Sequence, residues 1–311
     1  MKQIPMKNSL MLLLAATIWG IAFVAQRVGM DYMGPFTFSA IRFILGGTIL
    51  IPVMLLLRRM NGEKQRPPGY RKSTLIGGLL CGVILCVASN LQQFGLLHTS
   101  VGKTGFITVL YIIFVPLLGL FVGKKVGIPL WISVGIAIVG MYLLCMTSSS
   151  FALNLGDRLV LVSALVFSFH ILVIDHFSPR GDGVMISSIQ FFVSGVLSAV
   201  CALIFEELPA IHLILEAWVP LLYAGILSCG VAYTLQILGQ KNMNPTVASL
   251  ILSLEAVLSV MAAWVILGQA MSPREMFGAA LMFAAIILAQ LAEGGNMPVP
   301  KKRLAEEPGN L

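Results

Sequence analysis

Ten apolar runs of 18 to 25 residues occupy nearly all of this 311-residue chain, and they constrain its fold more than any motif does. They fall at 9–26, 35–57, 73–97, 101–122, 128–146, 157–175, 184–205, 217–239, 246–267 and 274–292, separated by Pro, Gly or charge. At about 1.5 Å per residue, roughly 20 apolar residues cross the ~30 Å hydrocarbon core of a bilayer. Backbone N–H and C=O groups find no water there, so runs of this length must close their hydrogen bonds internally as helices. The predicted fold is therefore an all-α membrane protein of ten transmembrane helices. Composition agrees: 58% of residues are hydrophobic and 11% charged, where soluble domains carry about 25% charge.

The connections are short and leave no room for a sizeable soluble domain. The polar, Pro-containing tail at 293–311 is expected to be a disordered cytoplasmic extension. Lys2 and Lys7 precede the first run as in a signal peptide. Ser9 to Gln26 is nevertheless long enough to span and ends without a small-x-small cleavage site, so it is expected to stay as the first helix.

A net charge of +7 raises the question of nucleic acid, but no basic stretch is interleaved with aromatic residues. The charge is better explained by orientation. With the N-terminus in the cytoplasm, fifteen of the twenty Lys and Arg residues fall on inside segments, four on outside segments, and Arg42 within a span. Both termini are thus expected to be cytoplasmic, in a multi-pass protein of the inner (plasma) membrane. Cys81, Cys86, Cys145, Cys201 and Cys229 all lie in apolar runs with no C-x-x-C pair, so they read as small buried side chains, not as disulfides or metal ligands.

The chain also repeats itself. Leu91-Gln92-Gln93-Phe94-Gly95 returns 144 residues later as Leu235-Gln236-Ile237-Leu238-Gly239, and the same offset sets Tyr111 on Glu255. Earlier, Arg42-Phe43 aligns with Gln190-Phe191 and Trp19 with Phe167 at an offset of 148. Five helices per repeat is an odd number, so the second half, 157–292, enters the membrane inverted relative to the first, 9–146. The loops agree: six Lys or Arg follow span 2, whereas Glu206, Glu207 and Glu216 follow span 7 with no Lys or Arg. Inverted repeats occur in many secondary transporters, where two halves rock about a site near the midplane. A channel or membrane enzyme built by duplication is the alternative.

Several of these residues resemble a known family. Trp19-Gly20 in span 1, Arg42 in span 2, the run Thr104-Gly105-Phe106-Ile107-Thr108-Val109-Leu110-Tyr111 and the stretch from Glu255 to Gly268 look like the EamA-type drug/metabolite transporters. The resemblance covers about residues 9–292. It implies ATP-independent export or exchange of amino acids and related metabolites. It also implies a central cavity lined by spans 1–4 and 6–9, with spans 5 and 10 peripheral. The sequence departs from the family where Ala256 follows Glu255 in place of a common Pro. Gly123-Lys124 and Gly268-Gln269 likewise stand where Gly-Glu is frequent, and Pro116 lies deeper in span 4.

Ionisable groups inside a span are expensive and mark function or internal pairing. Glu255, about 14 Å into span 9, is the one acid near mid-membrane and the candidate proton carrier; a hydrogen-bonded structural carboxyl is the alternative. Arg42, about 10 Å from the outer end of span 2, is placed to hold a substrate carboxylate, to pair with Glu255, or to snorkel outward. Polar stripes run along span 7 (Ser187, Gln190, Ser194, Ser198) and span 8 (Cys229, Tyr233, Gln236, Gln240). They face either neighbouring helices or an aqueous cavity to which Gln92 contributes. His170 is a proton-relay candidate or a core histidine, and Trp19 and Tyr111 either stack a substrate or pack.

No H-E-x-x-H, G-x-S-x-G, Walker A or G-x-G-x-x-G motif occurs, so neither enzyme chemistry nor a cofactor is expected. The favoured function is a secondary exporter or exchanger of small polar metabolites such as amino acids, proton-coupled through Glu255. A lipophilic-cation exporter and a non-transporting membrane enzyme or scaffold are the alternatives. The expected partners are a small-molecule substrate and the lipid bilayer, with no nucleic acid; a homodimer is left open.

Overall fold

A computed structural model describes residues 6–61, 68–99, 101–124, 126–145, 154–267 and 272–296. Among these there is no strand. The first repeat comprises α1 (Met6–Gly29), α2 (Pro35–Asn61), α3 (Tyr70–His98), then α4 (Val101–Thr108) with α5 (Tyr111–Phe121) as span 4, and α6 (Ile128–Cys145). The second begins with α7 (Leu155–Phe177), α8 (Gly183–Phe205) and the short α9 (Ile211–Glu216). Span 8 follows as α10 (Trp218–Leu222), a π-helix at Tyr223–Tyr233 and α11 (Thr234–Gln240). Span 9 is α12 (Pro245–Leu252) with α13 (Leu254–Leu267), and span 10 is α14 (Pro273–Asn296). Of the ten predicted spans, nine are long and apolar enough to cross a bilayer among the described residues, and α6 is a shorter apolar helix. Gly268-Gln269 and the tail beyond Asn296 lie outside the described residues.

Local chemistry sets the helix ends. Asn154 and Asp157 form a reciprocal capping box at α7, Asp182 caps α8 through the Met185 N–H, and Asn244 caps α12, with Pro245 as its first residue. The α2 N-terminus has Gly34 before it and is capped from a distance. Glu206, at the end of α8, accepts hydrogen bonds from the N–H groups of Phe36 (2.7 Å) and Thr37 (2.9 Å) and from the Thr37 hydroxyl (2.7 Å). The carboxylate thereby satisfies donors that the first turn of a helix leaves open.

The interior combines an apolar core with many buried polar side chains, and large apolar side chains also cover the outside, as lipid solvation requires. Leu203, Ile204, Phe205, Ile287 and Leu291 are exposed, whereas Gln93, Gln190, Ser194 and Ser198 are fully buried. At several crossings helices meet through small residues. A Cβ on Gly20 would lie 2.9 Å from the Glu255 carbonyl oxygen, so α1 and α13 touch backbone to backbone there.

The repeat explains which helices meet. Repeat mates α2 and α8 pack face to face, as do α6 and α14, and α3 crosses onto α7 and α8 of the other half. Phe43 stacks on Phe191, its mate 148 residues on, with ring centroids 6.0 Å apart and planes at 14°. A residue that touches its own mate lies beside the pseudo-two-fold axis. That axis therefore runs from the α2–α8 interface towards the α6–α14 interface.

Two departures from continuous helix are also paired by the repeat. Span 4 is interrupted at Val109–Leu110 and span 9 at Ser253, positions related by the 144-residue offset. There the hydrogen bonds tighten to three-residue spacing, from Ile112 N to Val109 O and from Ala256 N to Ser253 O. The third departure has no mate. Gly82 packs on the Gln190 carbonyl and Gly225 on that of Arg42, a spacing of 143. Gly95 packs on Val160 and Gly156, and Gly239 on Leu12 and Asn8, a spacing of 144. Span 8 thus holds one more residue than span 3 between these anchors, and the π-helix at Tyr223–Tyr233 absorbs it.

Candidate functional site

The two broken spans carry the centre of the site. Tyr111 and Glu255 stand just after the interruptions, each the second-repeat or first-repeat counterpart of the other, and the Tyr111 hydroxyl donates to Glu255 Oε1 at 3.2 Å. Both are buried. Around them is a cavity of about 50 Å³ lined by residues of spans 1, 2, 3, 4, 6, 8 and 9, with none from spans 5 and 10.

Of the residues singled out by sequence, Trp19, Arg42, Gln92, Tyr111, His170, Tyr233, Gln236 and Glu255 all line this cavity. Trp19 donates its indole N–H to the Ser228 carbonyl in the π-helix (3.3 Å) and meets the Tyr233 ring edge-on at 4.6 Å. Gln92 donates to the Thr108 hydroxyl at 2.9 Å, tying α3 to α4. Gln190 stands behind the wall, its Oε1 3.0 Å from His170 Nε2, so the histidine is held by a helix-to-helix hydrogen bond. Two more members of the span 7 stripe bond across helices: Ser194 donates to the Gly82 carbonyl (2.7 Å), and Ser198 accepts from Asn90 (2.9 Å), whereas the Ser187 hydroxyl is buried without a partner. That stripe serves interhelical contact, whereas Tyr233 and Gln236 of the span 8 stripe reach the cavity.

Arg42 corrects two expectations. It neither snorkels nor pairs with Glu255: its side chain is buried, and Nη1 donates to Gln26 Oε1 at 2.8 Å. The guanidinium carbon lies 4.7 Å from the Phe43 ring centroid and 5.7 Å from that of Phe38. No carboxylate of the described residues lies within ion-pair distance of it. Gln26, Phe23, Thr108, Phe167 and Ser228 also line the cavity and were not among the predicted site residues. Gln26 sits seven residues beyond Trp19, two turns along the same helical face. That spacing was its signal, hidden because Gln26 closed the predicted span.

A second, larger cleft of about 1100 Å³ opens between the ends of α5 and α7 and the segment before α12. Lys124, Asp175, His176, Arg180, Asn242 and Asn244 line it, and it shares no lining residue with the central cavity. Lys124 forms an ion pair with Asp175 there. At the opposite end of the same two spans Lys103 pairs with the buried Asp157 at 3.1 Å, and Thr99 donates to the same carboxylate at 2.6 Å.

Buried polar groups gathered at two interrupted helices, between inverted halves, are the arrangement of membrane transporters. The EamA-like transporter family model matches residues 6–146 and again 154–291. The chain belongs to the EamA-like transporter family. It is 30% identical over 285 residues to an uncharacterized transporter of Archaeoglobus fulgidus, covering 90% of this chain and 84% of that one. It is 24% identical to the uncharacterized transporter YoaV of Bacillus subtilis, covering 87% and 92% of the two chains. The uncharacterized inner membrane transporter YedA of Escherichia coli K12 is 22% identical, with 89% and 88% covered. A crystal structure of another protein superposes with a TM-score of 0.71 at 18% identity, covering 92% of this chain and 96% of that one, and shows the same fold.

Proposed function

We propose that this EamA-family protein is a proton-coupled secondary transporter that exports or exchanges small polar metabolites, such as amino acids, across the inner membrane, with both termini in the cytoplasm. One observation carries the reading: Glu255, a buried carboxyl at a helix interruption, meets its repeat mate Tyr111 beside the pseudo-two-fold axis. An acid at that place faces opposite sides of the membrane in turn when the two halves rock, and its charged form is stable only where water or a cation reaches it. Membership of a transporter family and the polar groups set among the lining residues support the same reading.

The test is flux in proteoliposomes across a range of external pH, for the wild type and Glu255→Gln. The variant keeps size and hydrogen bonding but cannot titrate. It is expected to insert normally and to lose gradient-driven flux while keeping exchange of substrate for substrate. The other titratable or charged groups facing the cavity are Arg42, Tyr111, His170 and Tyr233, so His170→Gln serves as the control. Equal rates and pH profiles for wild type and Glu255→Gln would leave Glu255 a structural group only. Orientation is read separately by cysteine labelling on intact cells, with label expected at 207–216 and none at 60–70.

A further inference from the structure

We propose that Arg42 is the docking point for a carboxylate of the transported molecule, so that the substrates are organic acids or zwitterions and not amines or neutral amides. The inference rests on the transport reading of the central cavity and names the chemistry that this cavity selects. A guanidinium taken out of water is tolerated when an anion satisfies it. Arg42 is only 4% exposed, yet its sole side-chain hydrogen bond goes to a neutral amide, Gln26. Its Nε is buried without a partner. Two aromatic faces, Phe38 and Phe43, flank the guanidinium and leave its polar edge as the part available for hydrogen bonding.

The fold itself does not require this charge. The repeat places Gln190 where Arg42 stands in the first half, beside the same stacked pair of Phe43 and Phe191, and Gln190 is fully buried on the His170 bond. The same architecture is thus built once with an amide and once with a guanidinium, and only the guanidinium lines the cavity. A planar fork with an unused N–H suits a carboxylate, which accepts two parallel hydrogen bonds from it. The single acid of the cavity, Glu255, is engaged by Tyr111 and lies beyond ion-pair reach of Arg42. The counter-charge is therefore left for the substrate to bring. A lipophilic cation would meet an uncompensated positive charge in a low-dielectric wall, which excludes it.

The experiment compares acids with their isosteric amides on the purified full-length protein in detergent. Propionate, L-alanine and L-leucine are titrated against propionamide, L-alaninamide and L-leucinamide, with protection against heat unfolding as the readout. The acids are expected to half-saturate at concentrations about tenfold or more below those of the amides. Arg42→Gln, which copies the repeat mate, is expected to erase that preference, and Arg42→Lys to keep part of it. Equal response to acids and amides in the wild type overturns the proposal, as does undiminished preference in Arg42→Gln or no response to any of the three acids. If Arg42→Gln does not fold, the wild-type series and Arg42→Lys still decide. Proton coupling is read from flux with Glu255→Gln, so its failure leaves the acid-to-amide ratio intact and is separable from failure here.

Discussion

Tyr111 and Glu255 stand 144 residues apart in the chain and 3.2 Å apart in space, and the first number is the period of the internal repeat. Mates meet only at the axis that relates them, so this hydrogen bond places both residues beside the pseudo-two-fold axis. It also joins the two interrupted spans, one from each repeat. Tyr111→Phe removes the donor and nothing else. It is expected to cost about 0.5–1.5 kcal/mol of stability and to move the pH midpoint of flux. An unchanged pH profile would show that Glu255 works without its mate.

The α1–α13 contact makes a second expectation specific. A Cβ on Gly20 meets the Glu255 carbonyl and the Ser259 N–H at 2.9 Å, both backbone atoms that cannot turn aside. Gly20→Ala is expected to destabilise by about 1–3 kcal/mol. At Gly135 in α6 nothing lies within 4 Å, so Gly135→Ala is expected to be neutral or slightly stabilising through helix propensity. Thermal unfolding in detergent distinguishes them, and equal midpoints would contradict the packing described.

Glu206 lies far from the cavity, and its removal should be felt as stability alone. Three hydrogen bonds to the α2 N-terminus end on its carboxylate. Glu206→Ala is expected to cost about 1–2 kcal/mol, with Glu206→Gln in between. Flux per folded molecule should stay at the wild-type value. A large loss of flux without loss of stability would give this residue another role.

The π-helix predicts an asymmetry between equivalent spans. Deleting Leu227 brings span 8 to the length of span 3 between the paired glycine contacts, and the helix has a regular α-form to relax into. The deletion is expected to insert and keep most of its stability. The same deletion at Val87 in α3 shifts half of a helix past its neighbours and is expected to abolish folding. If both deletions fail alike, the extra residue is not accommodated where the structure places it.

The ten spans, their inversion and the repeat alignment of Tyr111 with Glu255 were legible in the sequence because each is written locally, as hydropathy over about 20 residues or as a fixed offset, but the contact between those two residues was not. The interruptions at Val109–Leu110 and Ser253 were not. No Pro or Gly stands at either break, so the breaks depend on packing and not on local propensity. The capping of α2 by Glu206 joins residues 169 and 170 positions apart, beyond any motif. Arg42 was legible as a buried charge, but its choice of Gln26 over Glu255 is a matter of a few ångströms set by how α1 and α2 cross. The one-residue mismatch, 143 at the start of the π-helix and 144 after it, was present in the sequence. It became visible only once the glycine contacts fixed which residues are equivalent.

Lys103–Asp157 and Lys124–Asp175 fasten spans 4 and 6 to each other at both ends. Their repeat mates, spans 9 and 1, have Val247 and Ser9 in place of the first pair, and Arg27 in place of Asp175 turns to Asp31, in the turn just after its own helix. Among the described residues one flank of the bundle is held by ion pairs, and the opposite flank meets at Gly20 against α13. Two flanks related by symmetry in architecture are thus unequally cross-linked. If the halves rock as proposed, opening towards one side of the membrane is not the mirror image of opening towards the other, and unequal times spent open to the two faces are expected.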